Sequence, residues 1–197
     1  PYLSRGLGDV YKRQILHLEK SIQFVTVHGP ESTGKTTLAL ALANAFTLPW
    51  IAEEARNHII EGQRFTEKDI LRLAQLQYEA EKKAIQSQES GLTLADTNLI
   101  NFVVWLSWEK LTVPQWLIEA IKNQPYRYNL LLQVDVPWVN DGFRNISEQS
   151  LRRKWFTLYA QTLDQYGLHY EVIDGDYTSR GKKAKVLLQD WLKKTID

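Results

Sequence analysis

Residues 22–46 read IQFVTVHGPESTGKTTLALALANAF, and this stretch decides the fold. Residues 22–28 are β-branched and aromatic, the composition of a buried strand. Residues 35–46 are rich in Ala and Leu, strong helix formers. Between them, Gly29-Pro30-Glu31-Ser32-Thr33-Gly34-Lys35-Thr36 fits G-x-x-x-x-G-K-[ST] in the strand-to-helix setting that motif requires. Lacking Cβ atoms, Gly29 and Gly34 let the backbone wrap closely around a phosphate. The loop N–H groups and the helix N-terminus supply positive potential. Lys35 is placed to reach the β- and γ-phosphates and Thr36 to ligate Mg²⁺, with Glu31, Ser32, Thr33 and Thr37 completing the cradle. Binding of ATP or GTP follows from the motif. What is done with the phosphate does not.

Outward from the loop, apolar strand candidates recur at residues 50–52, 92–95, 129–136 and 169–173. Helical patterns occupy residues 54–61, 66–87, 98–108, 114–122, 147–166 and 179–194. Thr66-Glu67-Lys68-Asp69 opens the second of these as a capping box would. Strands alternating with helices predict an α/β domain whose parallel sheet is covered on both faces. Asp96 ends an apolar run, as a Walker B Asp does, and is placed to hold Mg²⁺ directly or through water. Thr97 follows it where a motor-type ATPase places a water-activating Glu. The guanine-reading N-K-x-D and the transporter signature L-S-G-G-Q are both missing from the sequence. Transfer to a small acceptor is favoured over a GTPase switch or a transporter ATPase.

Composition bounds the rest. The chain has 197 residues, 44% of them hydrophobic, with Lys+Arg 24 against Asp+Glu 23 and a net charge of +1. That suits one globular domain, expected over residues 15–197, and gives no sign of a nucleic-acid footprint. With no Cys, disulfides, thiolate metal sites and a Cys nucleophile are excluded. No run of 18 apolar residues exists, so no membrane span is expected, and a cytoplasmic location is. Residues 1–14, PYLSRGLGDVYKRQ, keep no helical or strand period, show no signal-peptide anatomy and do not begin with Met. They resemble translated adapter sequence at the ends of metagenomic reading frames, and we read them as a non-native tail. They carry Arg5, Lys12 and Arg13 against Asp9, so without them the net charge turns from +1 to −1.

Five blocks then carry a family resemblance. They are Gly29–Leu38 (GPESTGKTTL), Glu53-Glu54-Ala55-Arg56, Ala74 and Gln77 with Glu81, Ala95-Asp96-Thr97-Asn98, and residues 135–144 (DVPWVNDGFR). In order and spacing they resemble the ribosylnicotinamide kinase domain of the bacterial trifunctional NAD-biosynthesis regulator and its stand-alone P-loop relatives. The similarity runs over about residues 20–190. Asn98 departs from the family's second Asp, and Glu54 from its usual aromatic. The resemblance implies a P-loop kinase fold with five parallel strands in the order 2-3-1-4-5. It also implies phosphorylation of the 5′-hydroxyl of nicotinamide riboside by ATP with Mg²⁺, giving nicotinamide mononucleotide.

Within that expectation, Glu53 sits at the end of the second strand, in the crevice where open α/β sheets bind ligands. It is a candidate to position or deprotonate the acceptor hydroxyl, with Asp96 as the alternative base. Arg144 follows the turn signal Asp141-Gly142 and is a candidate lid arginine on the transferred phosphoryl group. Arg152, in the basic run Arg152-Arg153-Lys154, is a candidate for the phosphates, and Arg56 for the acceptor. Trp105 and Trp108 are candidates to stack on the cationic pyridinium ring. His28 reads as a hydrogen-bonded core residue. A kinase for another nucleoside or small metabolite, and a nucleotide-binding regulatory module, stand as alternatives. The expected partner is a small nucleoside, without nucleic acid or membrane, and the sequence is silent on oligomeric state.

Overall fold

Alternate side chains of β1 (Ile22–His28) enter two different cores. Ile22 and Phe24 pack on one face of the sheet and Val25 and Val27 on the other. Such a strand needs helices on both faces and neighbours on both edges. It has both in a computed structural model that describes residues 22–58, 65–87, 91–138 and 148–196. The remaining strands are β2 (Trp50–Ile51), β3 (Gly91–Asp96), β4 (Tyr126–Leu132) and β5 (Tyr170–Ile173). All pairings are parallel, in the order β2-β3-β1-β4-β5, as expected.

The helices are α1 (Lys35–Phe46), α2 (Glu67–Ser87), α3 (Leu99–Trp108), α4 (Gln115–Asn123), α5 (Gln149–Gln165) and α6 (Tyr177–Ile196). Leu38, Leu42, Leu188 and Trp191 of α1 and α6 share one core with Val25 and Val27. Helices α2 to α5 close the other face through Ile70, Phe102, Leu117 and Leu163. Thr66 and Asp69 form a reciprocal cap on α2: Thr66 N–H donates to Asp69 Oδ2 at 2.9 Å and Asp69 N–H to Thr66 Oγ1 at 3.3 Å. Among the described residues, no helix is long and apolar enough to cross a membrane.

Among the bounds that differ from the sequence reading, three have a visible cause. The fourth strand spans Tyr126–Leu132 rather than residues 129–136, because Tyr126 and Tyr128 pair with Phe24 and Val25 of β1. It stops at Leu132 because the Gln133 carbonyl is taken by Arg180. The expected helix at 54–61 is, in its described part, a 3₁₀ turn over Glu54–Asn57. Helix α6 starts earlier than expected because Asp176 caps it, accepting Ser179 N–H at 2.7 Å. The tail read over residues 1–14 lies outside the described residues.

The sheet order places a switch point at β1, whose outgoing connection crosses to one side while that of β3 crosses to the other. Ligand crevices of open α/β sheets lie at such points, beyond the carboxyl ends of the strands. Val27 stands beside Asp96 in register, so the phosphate loop and Asp96 leave the sheet side by side.

One buried charge sets a pH dependence. Glu81, on the sheet-facing side of α2, is fully buried. Burial pushes its carboxyl up to about 8, against the opposing pull of the Tyr126 hydroxyl. Between pH 4.5 and 8 an unfolded chain ionises this group while the folded chain keeps its proton, so folding stability falls across that window and levels off above it. Glu81→Gln removes this term. Thermal melts followed by circular dichroism at pH 5 and pH 8.5 should show a smaller drop for Glu81→Gln than for the unmodified chain. Equal drops would contradict the assignment.

Candidate active site

The loop between β1 and α1 is held by its carbonyls. Pro30 O accepts the Thr33 hydroxyl at 2.8 Å and Lys35 Nζ at 3.2 Å. Glu31 O accepts Arg152 Nε and Ser32 O accepts an Arg152 terminal nitrogen, both at 3.3 Å. Thr33 O accepts Arg180 at 2.6 Å. Four consecutive carbonyls are therefore fixed by side-chain donors. In a trans peptide the N–H points opposite its carbonyl, and no peptide bond here is cis. The amides of residues 31–34 thus face the other way, as a concave set of donors suited to phosphate oxygens.

Glycine is required at both ends of the loop. Gly29 has φ +143°, and a Cβ there would stand 3.0 Å from Leu132 O. Gly34 has φ +84°, and a Cβ would meet the Tyr177 ring at 2.9 Å. Helix α1 starts on Gly34 with no side-chain cap and no acidic residue in its first turn. Its first N–H groups and its dipole are left to an anion.

Four charged side chains interact above the loop. Lys35 is buried, and its pKa is lowered chiefly by that burial, with Glu53 and then Asp96 opposing the shift. Asp96 is pushed up by burial first and by Glu53 second. Arg56 Nε pairs with Glu53 Oε2 at 3.0 Å. Asp96 Oδ2 accepts the Thr36 hydroxyl at 2.5 Å, while Asp96 Oδ1 is buried with no hydrogen-bond partner among the described residues. A hydroxyl and an under-coordinated carboxylate oxygen, both hard donors, fit Mg²⁺, which binds through one or two protein oxygens plus phosphates. Among the described residues no group of three or more His, Asp or Glu could cage a metal alone, so this donor set would need the nucleotide to complete it.

The structure brings Lys35, Thr36, Glu53, Arg56 and Asp96 together, and leaves Thr37 exposed on the first turn of α1. Arg152, read as a phosphate contact, is fully buried. It donates to Glu31 O, Ser32 O, Val136 O and Gln149 Oε1. Its visible work is to hold the loop from behind. Trp105 packs edge-on against Phe65, ring centres 4.8 Å apart, and Trp108 against Trp155 at 4.9 Å. They lie roughly 9 Å and 14 Å along α3 from Leu99, at 1.5 Å per residue. Arg144 lies outside the described residues. Asn98 caps α3 at Ile100 N–H (2.9 Å) and donates to Thr26 Oγ1 (3.2 Å). His28 is buried with Nε2 3.0 Å from Asn129 Oδ1, and burial lowers it to about 4, so it is neutral.

Two residues escaped the sequence reading. Arg180 is 2% exposed and binds Thr33 O, Gln133 O, Gly175 O and Asp135. Asp135, within the fifth block, was its only sequence signal. Tyr159 is buried, donates to Asn101 Oδ1, and has its pKa raised by burial first, then by Glu53, Glu31 and Asp96. The site carboxylates thus act on its hydroxyl, and nothing in its sequence surroundings marks it.

The site and fold define a P-loop domain. The chain matches the family model described as an AAA domain over residues 24–180, and it belongs to that family. It is 25% identical over 184 residues to the trifunctional NAD biosynthesis/regulator protein NadR of Escherichia coli strain K12, covering 87% of this chain and 43% of that protein. With NadR of Salmonella typhimurium the identity is 24% over the same span. The chain thus spans less than half the length of these curated relatives. A crystal structure of NadR in complex with NR superposes with a TM-score of 0.75 at 23% identity, over 87% of this chain and 52% of that one. Deoxyadenosine kinase from M. mycoides, with dCMP and dCDP bound, gives 0.57 at 11% identity over 86% and 100%. The resemblance read from the sequence therefore holds in sequence and in fold, and the fold is that of P-loop kinases.

The carbonyl anchoring yields a test. Arg180→Lys keeps the charge but cannot bridge three carbonyls and a carboxylate as a planar guanidinium does. Titration calorimetry should show MgATP binding weakened by roughly tenfold, about 1.4 kcal/mol, with the fold intact by circular dichroism. Unchanged affinity would remove Arg180 from the positioning of the loop.

Proposed function

We propose that the chain is an ATP-dependent phosphotransferase that phosphorylates the 5′-hydroxyl of nicotinamide riboside, giving nicotinamide mononucleotide. The observation that carries this reading is the pair of carboxylates beyond the phosphate loop. Asp96 is clasped to Thr36 with one oxygen unsatisfied, and Glu53 stands on the next strand end, close enough to raise Asp96. A module that only binds nucleotide needs the loop but has no use for the second carboxylate. Similarity to NadR, one structure of which holds NR and another NAD and AMP-PNP, supports the choice of acceptor and of ATP.

The chemistry follows from charge. The loop amides and Lys35 bind the β- and γ-phosphates, and Thr36 and Asp96 would hold Mg²⁺ against them. When bound, the ion would neutralise phosphate charge. Glu53 orients the acceptor hydroxyl and receives its proton as the oxygen bonds to the γ-phosphorus and the bond to the ADP oxygen breaks. Because the transition state is loose, alignment and charge neutralisation outweigh base strength. Arg144 is assigned to the transferred phosphoryl group, and Arg56 holds Glu53 on the acceptor side until substrate enters.

A coupled assay of ADP release with MgATP and a panel of nucleosides should show nicotinamide riboside as the preferred acceptor. Preference for another nucleoside would replace the acceptor and keep the reaction. Nucleotide binding without acceptor-stimulated turnover would sink the reaction itself. Lys35→Ala should abolish turnover. Glu53→Ala should lower kcat roughly 10²-fold or more while ATP affinity, measured by calorimetry, stays within about twofold. Loss of ATP affinity in Glu53→Ala would contradict the acceptor role.

A further inference from the structure

Helix α2 carries two buried polar residues one turn apart, Gln77 and Glu81, both fully inaccessible. Buried polar side chains are costly unless they are spent on something, and these are spent at two defined places. Gln77 Oε1 accepts Glu54 N–H at 3.0 Å, the first amide of the 3₁₀ turn after Glu53, which has no side-chain cap of its own. Glu81 Oε2 accepts the Tyr126 hydroxyl at 2.6 Å and Gln124 Nε2 at 3.1 Å. The Tyr126 hydroxyl in turn accepts Leu99 N–H at 3.2 Å, the first amide of α3. Donation to Glu81 is what turns the Tyr126 lone pair toward that amide.

Both amides lie shortly after site carboxylates: Glu54 is next to Glu53, and Leu99 is three residues past Asp96. Each is an N-terminal N–H that its own segment leaves unsatisfied, and each is capped from another element. The two caps meet on one face of one helix, although Glu53 and Asp96 belong to different strands.

We propose that Gln77 and Glu81, the latter through Tyr126, are positioning residues that set the spacing of Glu53 and Asp96 by capping the segments that follow them. This rests on the phosphotransferase reading for its effect on turnover, but not for its effect on the two segments. Both side chains are fully buried, and the loop 29–34 is held independently by Arg152 and Arg180. Loss of the relay therefore acts on the acceptor side and leaves nucleotide binding unchanged.

The experiment uses the full chain with Gln77→Leu, Tyr126→Phe, Glu81→Leu and Glu81→Gln. Hydrogen–deuterium exchange is read on peptides covering residues 53–57, 97–101 and 30–36, alongside acceptor-stimulated ADP release. Gln77→Leu should speed exchange in 53–57, and Tyr126→Phe and Glu81→Leu in 97–101, with 30–36 protected as before. In each, kcat should fall roughly tenfold, as for outer residues that orient a site, with KM for MgATP unchanged. Glu81→Gln keeps an acceptor oxygen for Tyr126 and should recover most of what Glu81→Leu loses. Unchanged exchange in both segments overturns the proposal, as does faster exchange with kcat unaffected, or a loss of MgATP affinity equal to the loss of kcat. If one variant fails to fold, the other arm of the relay still decides. An unmodified chain without turnover sinks the phosphotransferase reading instead, and the relay is then judged on exchange alone.

Discussion

The site depends on one constraint: carbonyls 30–33 must all face away from the ligand. Peptide groups in a tight loop have no intrinsic reason to align, and aligning their dipoles is electrostatically unfavourable. Here the alignment is enforced by side-chain donors, two of them from distant helices. Arg152 comes from α5, Arg180 from α6, and Thr33 and Lys35 from the loop and its helix. Burying two guanidinium groups is expensive. They are compensated because both guanidinium groups donate to carbonyl and side-chain oxygens, and because each arginine ties the loop to a different helix. Both cores thereby brace the same six-residue turn, α5 from one face of the sheet and α6 from the other.

Charge balance above the loop is the second consequence. Lys35, buried in the crevice, sits among two carboxylates and Arg56. Burial works against its charge, and Glu53 and Asp96 work for it. The same burial works against Asp96, where Glu53 adds repulsion. Two like charges held near each other in a poorly solvated crevice favour an added cation. The unsatisfied Asp96 Oδ1 points to where that cation is wanted. Bringing in a polyphosphate with a divalent ion supplies both signs at once, which is why the cluster suits a metal–nucleotide complex better than either component alone.

The legible parts of the molecule are those fixed by local chemistry. The loop motif, the strand before it and the helix after it were read at their observed bounds, because Gly, β-branched residues and Ala/Leu runs each constrain the backbone on their own. Thr66 and Asp69 announced the start of α2 for the same reason. The strand at Tyr126–Leu132 was misread at both ends because its bounds are set at a distance, by pairing with Phe24 and by Arg180. The same holds for the site. Lys35, Thr36 and Asp96 could be named from spacing, and the placement of Glu53 beside them follows from sheet order. Arg180 and Tyr159 could not be named, because what makes them matter is burial against residues more than forty positions away. Arg152 was noticed for its charge and given a ligand. Its burial against the loop carbonyls could not be read from the sequence.

The two carboxylates are held with different firmness. Asp96 closes a strand that pairs along its whole length with β1, from Ile22↔Gly91 to Val27↔Asp96. Its side chain is also pinned by Thr36. Glu53 follows an edge strand whose pairing consists of Trp50↔Leu94 and Ile51↔Ala95 alone. Beyond that, the segment is held by Ala55 in the core, by the Gln77 bond and by the Arg56 pair at its surface. The donor side of the crevice is thus fixed by the central sheet, and the acceptor side by an edge. For phosphoryl transfer this division is physically sensible. The nucleotide presents the same phosphates every time and gains from a rigid cradle. The acceptor hydroxyl must be brought into line by a group that can adjust as the substrate enters. Under the proposed reaction, the weak edge at β2 would be the part of the sheet where small changes in sequence alter the acceptor without disturbing the phosphate loop.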